Sequence, residues 1–251
     1  MYSRVVRARA AELLAGGLSL NATSKRLGVS RATLREWRDN PAQADNRPTD
    51  CPRCNRSVAL DTWAYSHLLG LYLGDGCISS GRKQVYSLRI TCDQRYPRLI
   101  AETRGSLAAV RPGAKTYLVA TVGCVNVLGY WKHWPCLFPQ HGPGRKHQRP
   151  IVLADWQREI VVRHPERFVR GLFHSDGCRI TNWTVRTVAG RPKRYEYPRY
   201  LFSNESADIV GLCTWALDLL GVAWRLPRHN MVSVARREAV AVLDTHVGPK
   251  T

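Results

Sequence analysis

The chain has 251 residues, and its 38 Lys and Arg against 19 Asp and Glu give a formal net charge of +19. Apolar residues make up 44%, enough for one sizeable domain and a small accessory one. So basic a chain is expected to meet a polyanion, with nucleic acid as the first candidate and an anionic membrane as the second. It has no run of about 18 apolar residues and no signal-peptide pattern, which excludes a membrane span and favours a cytoplasmic location.

Residues 1–40 are predicted to form three short helices, the last two between Leu20 and Arg38. Gly28 interrupts the helical pattern where a tight turn is needed, and Ser30 is placed to cap the next helix. The apolar face is assigned to Ala22, Leu27, Val29, Leu34 and Trp37. This pattern is typical of a helix-turn-helix DNA-binding domain, with a plain helical hairpin as the alternative. Four side chains of its second helix would face a major groove: Ser30, Arg31, Thr33 and Arg35.

Residues 41–61 are predicted to be a linker, because the segment 39–50 is rich in Asp, Asn and Pro and poor in large apolar side chains. The linker contains Cys51 and Cys54 in CxxC spacing. A structural zinc site normally needs a second pair of ligands, and no other CxxC or HxxxH motif occurs. We therefore favour a turn whose two thiols face the core and expect no zinc, with a zinc site as the alternative.

Two later segments match each other: Leu68–Gly76 reads LLGLYLGDG, and Val169–Gly177 reads VRGLFHSDG. Each is followed by Cys and, within two residues, by Ile, and the two Asp-Gly pairs are 101 residues apart. That spacing suits one small compact unit. The sequence therefore predicts an internal duplication, with repeats at 62–164 and 165–251.

The strand and helix patterns that follow the two segments come in the same order. In the first repeat they are a strand at Gln84–Cys92, a helix at Tyr96–Val110, and strands near Lys115–Val122 and Val125–Tyr130. In the second they are strands at Arg179–Val188 and Tyr195–Ser203, a helix at Ala207–Leu220, and strands near Ala223–Pro227 and Met231–Ala235. Each repeat is thus predicted to be an αββαββα unit whose helices cover one face of a four-stranded antiparallel sheet.

The two Asp-Gly helices resemble the LAGLIDADG motifs of the homing endonuclease family in its single-chain, two-motif form, over roughly residues 62–250. The resemblance implies an α+β fold in which the duplicated units form a saddle of two antiparallel sheets. Here a small all-α helix-turn-helix domain precedes them. The family's motif has a second, earlier acid, and that position is occupied by Leu73 in one copy and by His174 in the other. His174 is a hydrogen-bonding residue at the helix end, a neighbour of a metal, or simply exposed; we favour exposure.

Small residues one turn apart would let the two motif helices pack closely: Gly70 and Gly74 on the first, and Gly171 and Ser175 on the second. Such packing would bring Asp75 and Asp176 together, where their like charges call for a divalent cation. Mg²⁺ suits carboxylate, water and phosphate oxygens. The resemblance implies the same role, because these acids bind the metal that activates water at each scissile phosphate.

The resemblance also implies a basic residue near each active centre. Lys146 and Lys250 end the segments HGPGRK and HVGPK, at offsets of 71 and 74 residues from the two aspartates. A lysine there would stabilise a pentavalent phosphate or orient water. The alternatives are two solvated lysines, or Arg145 in place of Lys146.

Alternation along the strand 87–92 places three polar side chains on the open face of the first sheet, opposite Leu88, Ile90 and Cys92. In the second repeat the segment 179–200 carries six basic residues against one acid, Glu196. Hairpins of this kind can lie in a major groove. The predicted DNA contacts are Arg82, Lys83, Gln84, Ser87, Arg89 and Thr91 in the first repeat, and Arg179, Asn182, Thr184, Arg186, Arg191, Lys193, Arg194 and Arg199 in the second.

These patterns predict site-specific binding of double-stranded DNA and Mg²⁺-dependent phosphodiester hydrolysis. The protein is expected to be a monomer with internal pseudo-two-fold symmetry, DNA-associated in the cytoplasm, and without membrane contact. The main alternative is a transcriptional regulator that keeps the fold without cutting, and an RNA maturase is a third. The presence of both Asp75 and Asp176 favours the enzyme.

Overall fold

The computed structural model describes residue 2, residues 4–40 and residues 49–251. The chain forms two compact units, Met1–Val58 and Ala59–Thr251. Residues 41–48 of the predicted linker lie outside the described residues. In the part of the chain that the structure describes, no helix has the length and apolar character needed to span a bilayer.

The first unit contains the three predicted helices: α1 (Arg4–Ala15), α2 (Leu20–Leu27) and α3 (Arg31–Asp39). The chain turns between α2 and α3 at Gly28, whose φ of 63° is easily reached by glycine. The Ser30 hydroxyl then caps α3 by accepting a hydrogen bond from Thr33 N at 3.1 Å. Side chains of all three helices meet in one small core formed by Ala10, Val29 and Leu34 with Val6, Leu20, Leu27 and Trp37 around them.

One assignment in this unit is wrong: Ala22 is exposed, and its neighbour Thr23 is buried instead. The helix α2 has only eight residues, so few apolar positions fix the angle at which it faces the core.

The second unit contains two repeats with the same order of elements. The first has α4 (Thr62–Leu73), β1 (Gly76–Ser80), β2 (Tyr86–Asp93), α5 (Pro97–Val110), β3 (Thr116–Thr121) and β4 (Cys124–Trp131), followed by α6 (Trp134–Leu137) and α7 (Asp155–Arg163). The second has α8 (Pro165–Asp176), β5 (Gly177–Val188), β6 (Arg191–Ser203), α9 (Ala207–Leu219), β7 (Arg225–Arg228), β8 (Met231–Val234) and α10 (Arg237–His246).

Each repeat builds a four-stranded antiparallel sheet, in the orders β1-β2-β4-β3 and β5-β6-β8-β7. The shared order confirms the predicted α+β class and the duplicated αββαββα pattern. In the first sheet Leu88 and Ile90 are buried, whereas Arg89 between them is exposed. Tyr200 and Phe202 occupy the buried side of β6 in the second sheet. Each sheet therefore has one side in the core and one side open.

The helices α4 and α8 pack against each other where Gly70 meets Gly171. A Cβ atom added to Gly70 would lie 2.9 Å from Leu172 N, and one added to Gly171 would lie 2.8 Å from Leu71 N. Real side chains do not tolerate such distances to backbone atoms, so only glycine permits this crossing. The crossing sets where the carboxyl ends of both helices lie.

The two sheets differ in the length of their first hairpin. In the first repeat β2 pairs with β4 along all eight of its residues. In the second, β5 and β6 have 12 and 13 residues, and β8 pairs only with the last four residues of β6, Tyr200–Ser203. Residues 180–199 thus form a two-stranded ribbon that extends beyond the sheet and turns at Ala189 and Gly190.

Candidate active site and nucleic-acid interface

Asp75 and Asp176 lie at the adjoining carboxyl ends of α4 and α8. Asp176 is the last residue of α8, and Asp75 follows Gly74, the residue that ends α4. A Cβ atom added to Gly74 would overlap Ser175 and would lie 3.0 Å from Asp176 Oδ2. The absence of a side chain at Gly74 therefore lets the second carboxylate approach the end of the first helix.

Lys146 and Lys250 each hold one of these helix ends. Lys146 Nζ donates to the backbone oxygens of Tyr72, Leu73 and Gly74 at 2.6, 2.9 and 2.5 Å. Lys250 Nζ donates to Ser175 O at 2.9 Å. The last carbonyls of a helix lack partners within the helix and carry partial negative charge, so an ammonium group is favoured there.

The two acids and two lysines form crossed pairs. Asp176 and Lys146 line one cleft of about 520 Å³, which also contains Asn204. Asp75 and Lys250 line a second cleft of about 240 Å³. Each cleft thus combines the aspartate of one repeat with the lysine of the other, a pairing that the similar sequence offsets did not indicate.

Removal from water dominates the ionisation of these groups. Desolvation, followed by the charge of Asp176, raises the pKa of Asp75 to about 6, although Lys250 and Lys146 oppose the shift and the side chain reaches the surface. Burial also raises the pKa of Asp176, against a hydrogen bond from Asn204. Burial lowers the pKa of Lys146 to about 8 and lowers that of Lys250.

The composition of this centre fits a hard divalent cation. Its anionic donors are carboxylate oxygens, and burial raises the pKa of both aspartates by disfavouring their charged forms. A bound divalent cation would stabilise both aspartates in their charged forms. Mg²⁺ suits this site because it binds to one or two carboxylates while keeping several waters. Asp75 and Asp176 are the residues that would hold it.

Asn204 is a site residue that the sequence analysis missed. Its Nδ2 donates to Asp176 Oδ2 at 2.6 Å, and its Oδ1 accepts from Ser206 N at 2.8 Å. The second bond fixes the orientation of the amide, so the first holds the carboxylate of Asp176 in one position. An Asn two residues before a helix cap was the available signal, but nothing in the sequence connects it with Asp176.

The expectation that His174 is exposed is wrong, because only 4% of it is accessible. Its Nε2 donates to Val247 O at 3.1 Å. Arg170 Nη1 donates to His246 O at 3.3 Å and also to Val247 O. Two side chains of α8 therefore hold the C-terminal segment that positions Lys250 in the candidate active site.

Glu102 of α5 connects the same cluster to the first repeat. It accepts hydrogen bonds from Arg170 Nε at 2.8 Å and from Arg167 Nη1 at 3.0 Å. Burial alone would raise the pKa of Glu102, but the hydrogen bonds from Arg170 and the nearby positive charges bring it to about 2. Glu102 also lies near His67 and His174 in a metal-type arrangement. Its carboxylate is already held by two guanidinium groups, which disfavours a cation there.

The open face of the first sheet carries the side chains predicted from alternation. Cys77 pairs with Arg89, and Arg89 pairs with Leu128, so these residues share one face. Thr91 lies one row closer to Asp75, whose backbone oxygen accepts from Thr91 N at 3.4 Å. Ser87 lies one row further away. The hairpin tip contains Arg82, Lys83 and Gln84, of which the last two have φ of 55° and 56°.

The ribbon of the second sheet divides its predicted contacts between two faces. Strand alternation and pairing place six of them on the open face: Asn182, Thr184, Arg186, Arg191, Lys193 and Arg199. Arg179 lies on the opposite face, where Nε binds Asp244 Oδ1 at 2.7 Å. Arg194 is also on that face, paired with Glu196 at 2.7 Å and stacked over Trp183. The sequence analysis missed two exposed basic residues of β7, Arg225 and Arg228.

The predicted groove-facing residues of the first unit surround the start of α3. The hydroxyls of Ser30 and Thr33 lie 2.8 Å apart, and the Ser30 hydroxyl also caps the helix. Arg31 and Arg35 are exposed, one turn apart. The two arginines are thus exposed, whereas the hydroxyls of Ser30 and Thr33 are held by each other.

Cys51 is buried and Cys54 is exposed, so the expectation that both thiols face the core is wrong for Cys54. Burial raises the pKa of Cys51. The sequence argument against zinc considered only CxxC and HxxxH motifs. In the second unit the chain contains His133 and Cys136 in HxxC spacing, with Nδ1 and Sγ 3.6 Å apart.

Comparison with known proteins gives matches for both units. Residues 1–45 match the family model of a homeodomain-like domain. No curated protein matches the chain in sequence. Among solved structures, mesophilic variants of the homing endonuclease I-DmoI are similar with 14% identity and a TM-score of 0.47, over 74% of this chain and 89% of that one.

Two further solved structures resemble this chain. I-DmoI in complex with DNA and Mn has 14% identity and a TM-score of 0.47, over 74% of this chain and 97% of that one. The LAGLIDADG meganuclease I-AabMI bound to uncleaved DNA has 11% identity and a TM-score of 0.46, over 74% of this chain and 84% of that one.

Proposed function

We propose that the second unit is a site-specific, divalent-metal-dependent DNA endonuclease of the LAGLIDADG homing endonuclease type. We propose also that the first unit binds duplex DNA through α3. One observation carries the first proposal: an aspartate and a lysine from each repeat converge where α4 and α8 end. A purely structural role does not explain two adjoining carboxylates whose pKa is raised by burial at such a point.

The charge of the chain supports a nucleic-acid substrate. Its net charge is +19, and basic side chains project from the open faces of both sheets. Phosphate contacts from such side chains provide affinity, whereas hydrogen bonds to base edges provide sequence preference. A double-stranded substrate is favoured because the ribbon can enter a major groove.

The site residues divide the chemistry between them. A divalent cation held by Asp75 and Asp176 would supply Lewis acidity for water activation and for the leaving oxygen. Asn204 keeps Asp176 oriented by its hydrogen bond of 2.6 Å. Lys146 and Lys250 are anchored on backbone oxygens, so each holds a positive charge beside a cleft where phosphate charge increases during hydrolysis. Two clefts provide one set of groups for each DNA strand.

One experiment separates cleavage from binding alone. The protein and its Asp75→Asn, Asp176→Asn double variant are incubated with a randomised duplex library, with and without Mg²⁺, and the bound and cut pools are sequenced. We expect Mg²⁺-dependent ends from the wild type only, at one preferred sequence, with binding retained by the variant. Specific binding without cut ends would favour the regulator, and binding without sequence preference would contradict both functions.

A further inference from the structure

Four apolar side chains lie together on the open face of the first sheet, and we call them the apolar patch: Tyr117, Val119, Leu128 and Tyr130. Tyr117 pairs with Leu128, and Leu128 pairs with Arg89. Val119 pairs with Asn126, which pairs with Thr91. Because residues directly opposite in antiparallel strands share a face, the patch continues the surface that bears Arg89 and Thr91.

The patch is accessible and ordered by its own contacts. Tyr117 and Val119 are each 45% exposed, and Tyr130 is 49% exposed. The rings of Tyr117 and Tyr130 meet edge to face with centroids 5.6 Å apart. An exposed apolar cluster on a strongly basic chain points to a contact with apolar groups of a partner.

The second sheet has arginines at the corresponding positions. In the first sheet the row that starts at Cys77 ends at Tyr117, and in the second the row that starts at Cys178 ends at Arg225. The next row ends at Val119 in the first sheet and, after an irregularity in the pairing of β7, at Arg228 in the second. The edge strand thus offers an aromatic ring and two methyl groups in one repeat, and two guanidinium groups in the other.

We infer that the first sheet recognises thymine through its 5-methyl group by contact with the apolar patch, so that the half-site under this repeat is rich in thymine. The inference rests on the proposed function and specifies its target. Thymine is the only base that presents a methyl group in the major groove, and apolar side chains are its complement. The patch lies beside Arg89 and Thr91, so the apolar contact adjoins polar contacts on the same bases or phosphates. Arg225 and Arg228 favour guanine or phosphate instead.

The test replaces thymine by uracil, which has the same pairing edge without the methyl group. The target is first selected from a randomised duplex library by binding in Ca²⁺, and uracil is then placed at one thymine at a time. Burial of one methyl group contributes about 0.8 kcal/mol, so each contacted thymine should lose about fourfold in affinity on replacement. Fluorescence anisotropy measures each dissociation constant.

Two variants locate the effect. Val119→Thr replaces a methyl with a hydroxyl of similar shape at an exposed position, and Leu118→Thr makes a change on the opposite face of the same strand, where Leu118 is 48% exposed. We expect uracil at one or two positions to weaken binding by the wild type and Leu118→Thr, but not by Val119→Thr. Circular dichroism melting of both variants checks that they fold.

Three results decide the matter. Uracil sensitivity that Val119→Thr removes supports the inference. A specific target whose thymines all tolerate uracil, or a sensitivity unchanged in Val119→Thr, overturns it while leaving DNA binding intact. If sedimentation shows self-association that Val119→Thr abolishes, and uracil has no effect, the patch is an interface between two copies and the inference is wrong. Absence of any preferred sequence contradicts the proposed function itself.

Discussion

The second repeat extends a ribbon of about twenty residues beyond its sheet. In the first repeat the hairpin of β1 and β2 is shorter and stays within its four-stranded sheet. The open face of the ribbon carries Arg186, Arg191, Lys193 and Arg199. The open face of the first sheet carries one arginine, Arg89, and the apolar patch. The same strand order thus supports two different surfaces.

The features that both repeats share lie at the helix crossing. Gly70 and Gly171 contact each other's backbone there, so neither position has room for a side chain. The open faces have no such constraint, because their side chains contact one another but no second layer of the unit. Internal packing therefore fixes the position of the candidate active centre, while external contacts remain free to differ between the repeats.

The largest effect is expected from the aspartates. Asp75→Asn and Asp176→Asn each remove one of the two negative charges that would hold the cation, so each should abolish double-strand cleavage. If each cleft acts on one strand, a single variant should produce nicked DNA, and the double variant should cut neither strand. Gel assays on a labelled plasmid distinguish the forms, and retained DNA binding is the control. Full double-strand cleavage by either single variant would show that the two carboxylates are not both required for it.

The crossed pairing of acids and lysines gives the next largest effect. Lys146→Met and Lys250→Met should each slow cleavage about 10²-fold, because a positioned charge beside the reacting phosphate is lost. In double variants, Asp176→Asn with Lys146→Met and Asp75→Asn with Lys250→Met should be non-additive, since their partners share a cleft. Non-additivity in the same-repeat pairs instead would contradict the crossed assignment. Nicking rates of each labelled strand provide the measurement.

The pH dependence should have two limbs. The pKa of Asp75 is raised to about 6, so its carboxylate takes up a proton below that pH and cation binding falls by about tenfold per pH unit. The pKa of Lys146 is lowered to about 8, so its positive charge is lost above that pH. Single-turnover cleavage at subsaturating Mg²⁺ should therefore be fastest between about pH 6 and pH 8.

Two changes identify the groups that cause the acid and alkaline limbs of the pH profile. Higher Mg²⁺ should move the acid limb to lower pH, because the cation competes with the proton on Asp75. Lys146→Arg should move the alkaline limb to higher pH, because arginine stays protonated. If the acid limb does not shift with the Mg²⁺ concentration, the limb belongs to a group other than Asp75.

Local patterns in the sequence were sufficient to predict the fold. The strands β2 and β4 and the helices α5 and α9 lie within a few residues of their predicted bounds, because each has a clear hydrophobic period. The strand β1 was predicted only as part of the αββαββα order, without bounds, and its five residues follow the motif helix without a turn signal. Short elements that depend on a neighbouring strand are set by pairing rather than by their own sequence.

Local patterns were not sufficient for the active centre. They marked Asp75 and Asp176, but the bond between Asn204 and Asp176 joins residues 28 apart, and that between Arg170 and Val247 joins residues 77 apart. Exposure was the favoured alternative for His174, yet its side chain is buried and donates to Val247 O of the C-terminal segment. Such contacts arise from tertiary packing and leave no periodic signal in the sequence.

The smallest expected effect is also the sharpest test of how the two repeats differ. Arg186, Lys193 and Arg199 lie on the open face of the ribbon, so alanine at all three positions should weaken binding of any duplex. If each contacts one phosphate, the slope of log K against log salt should become shallower by about 0.9 for each residue lost. In the first sheet Arg89→Ala alone should change it by about 0.9 at most.

The ribbon itself provides the matched control. Arg179 and Arg194 have the same charge and the same strands, but their guanidinium groups are paired with Asp244 and Glu196 on the opposite face. Alanine at these two positions should leave the salt slope unchanged, apart from any loss of fold stability that thermal melting detects. If net charge alone governed binding, alanine at these two positions would reduce the slope by as much per residue as alanine at the three open-face positions. A loss confined to the open-face set would show that the ribbon binds by one side, as the strand alternation requires.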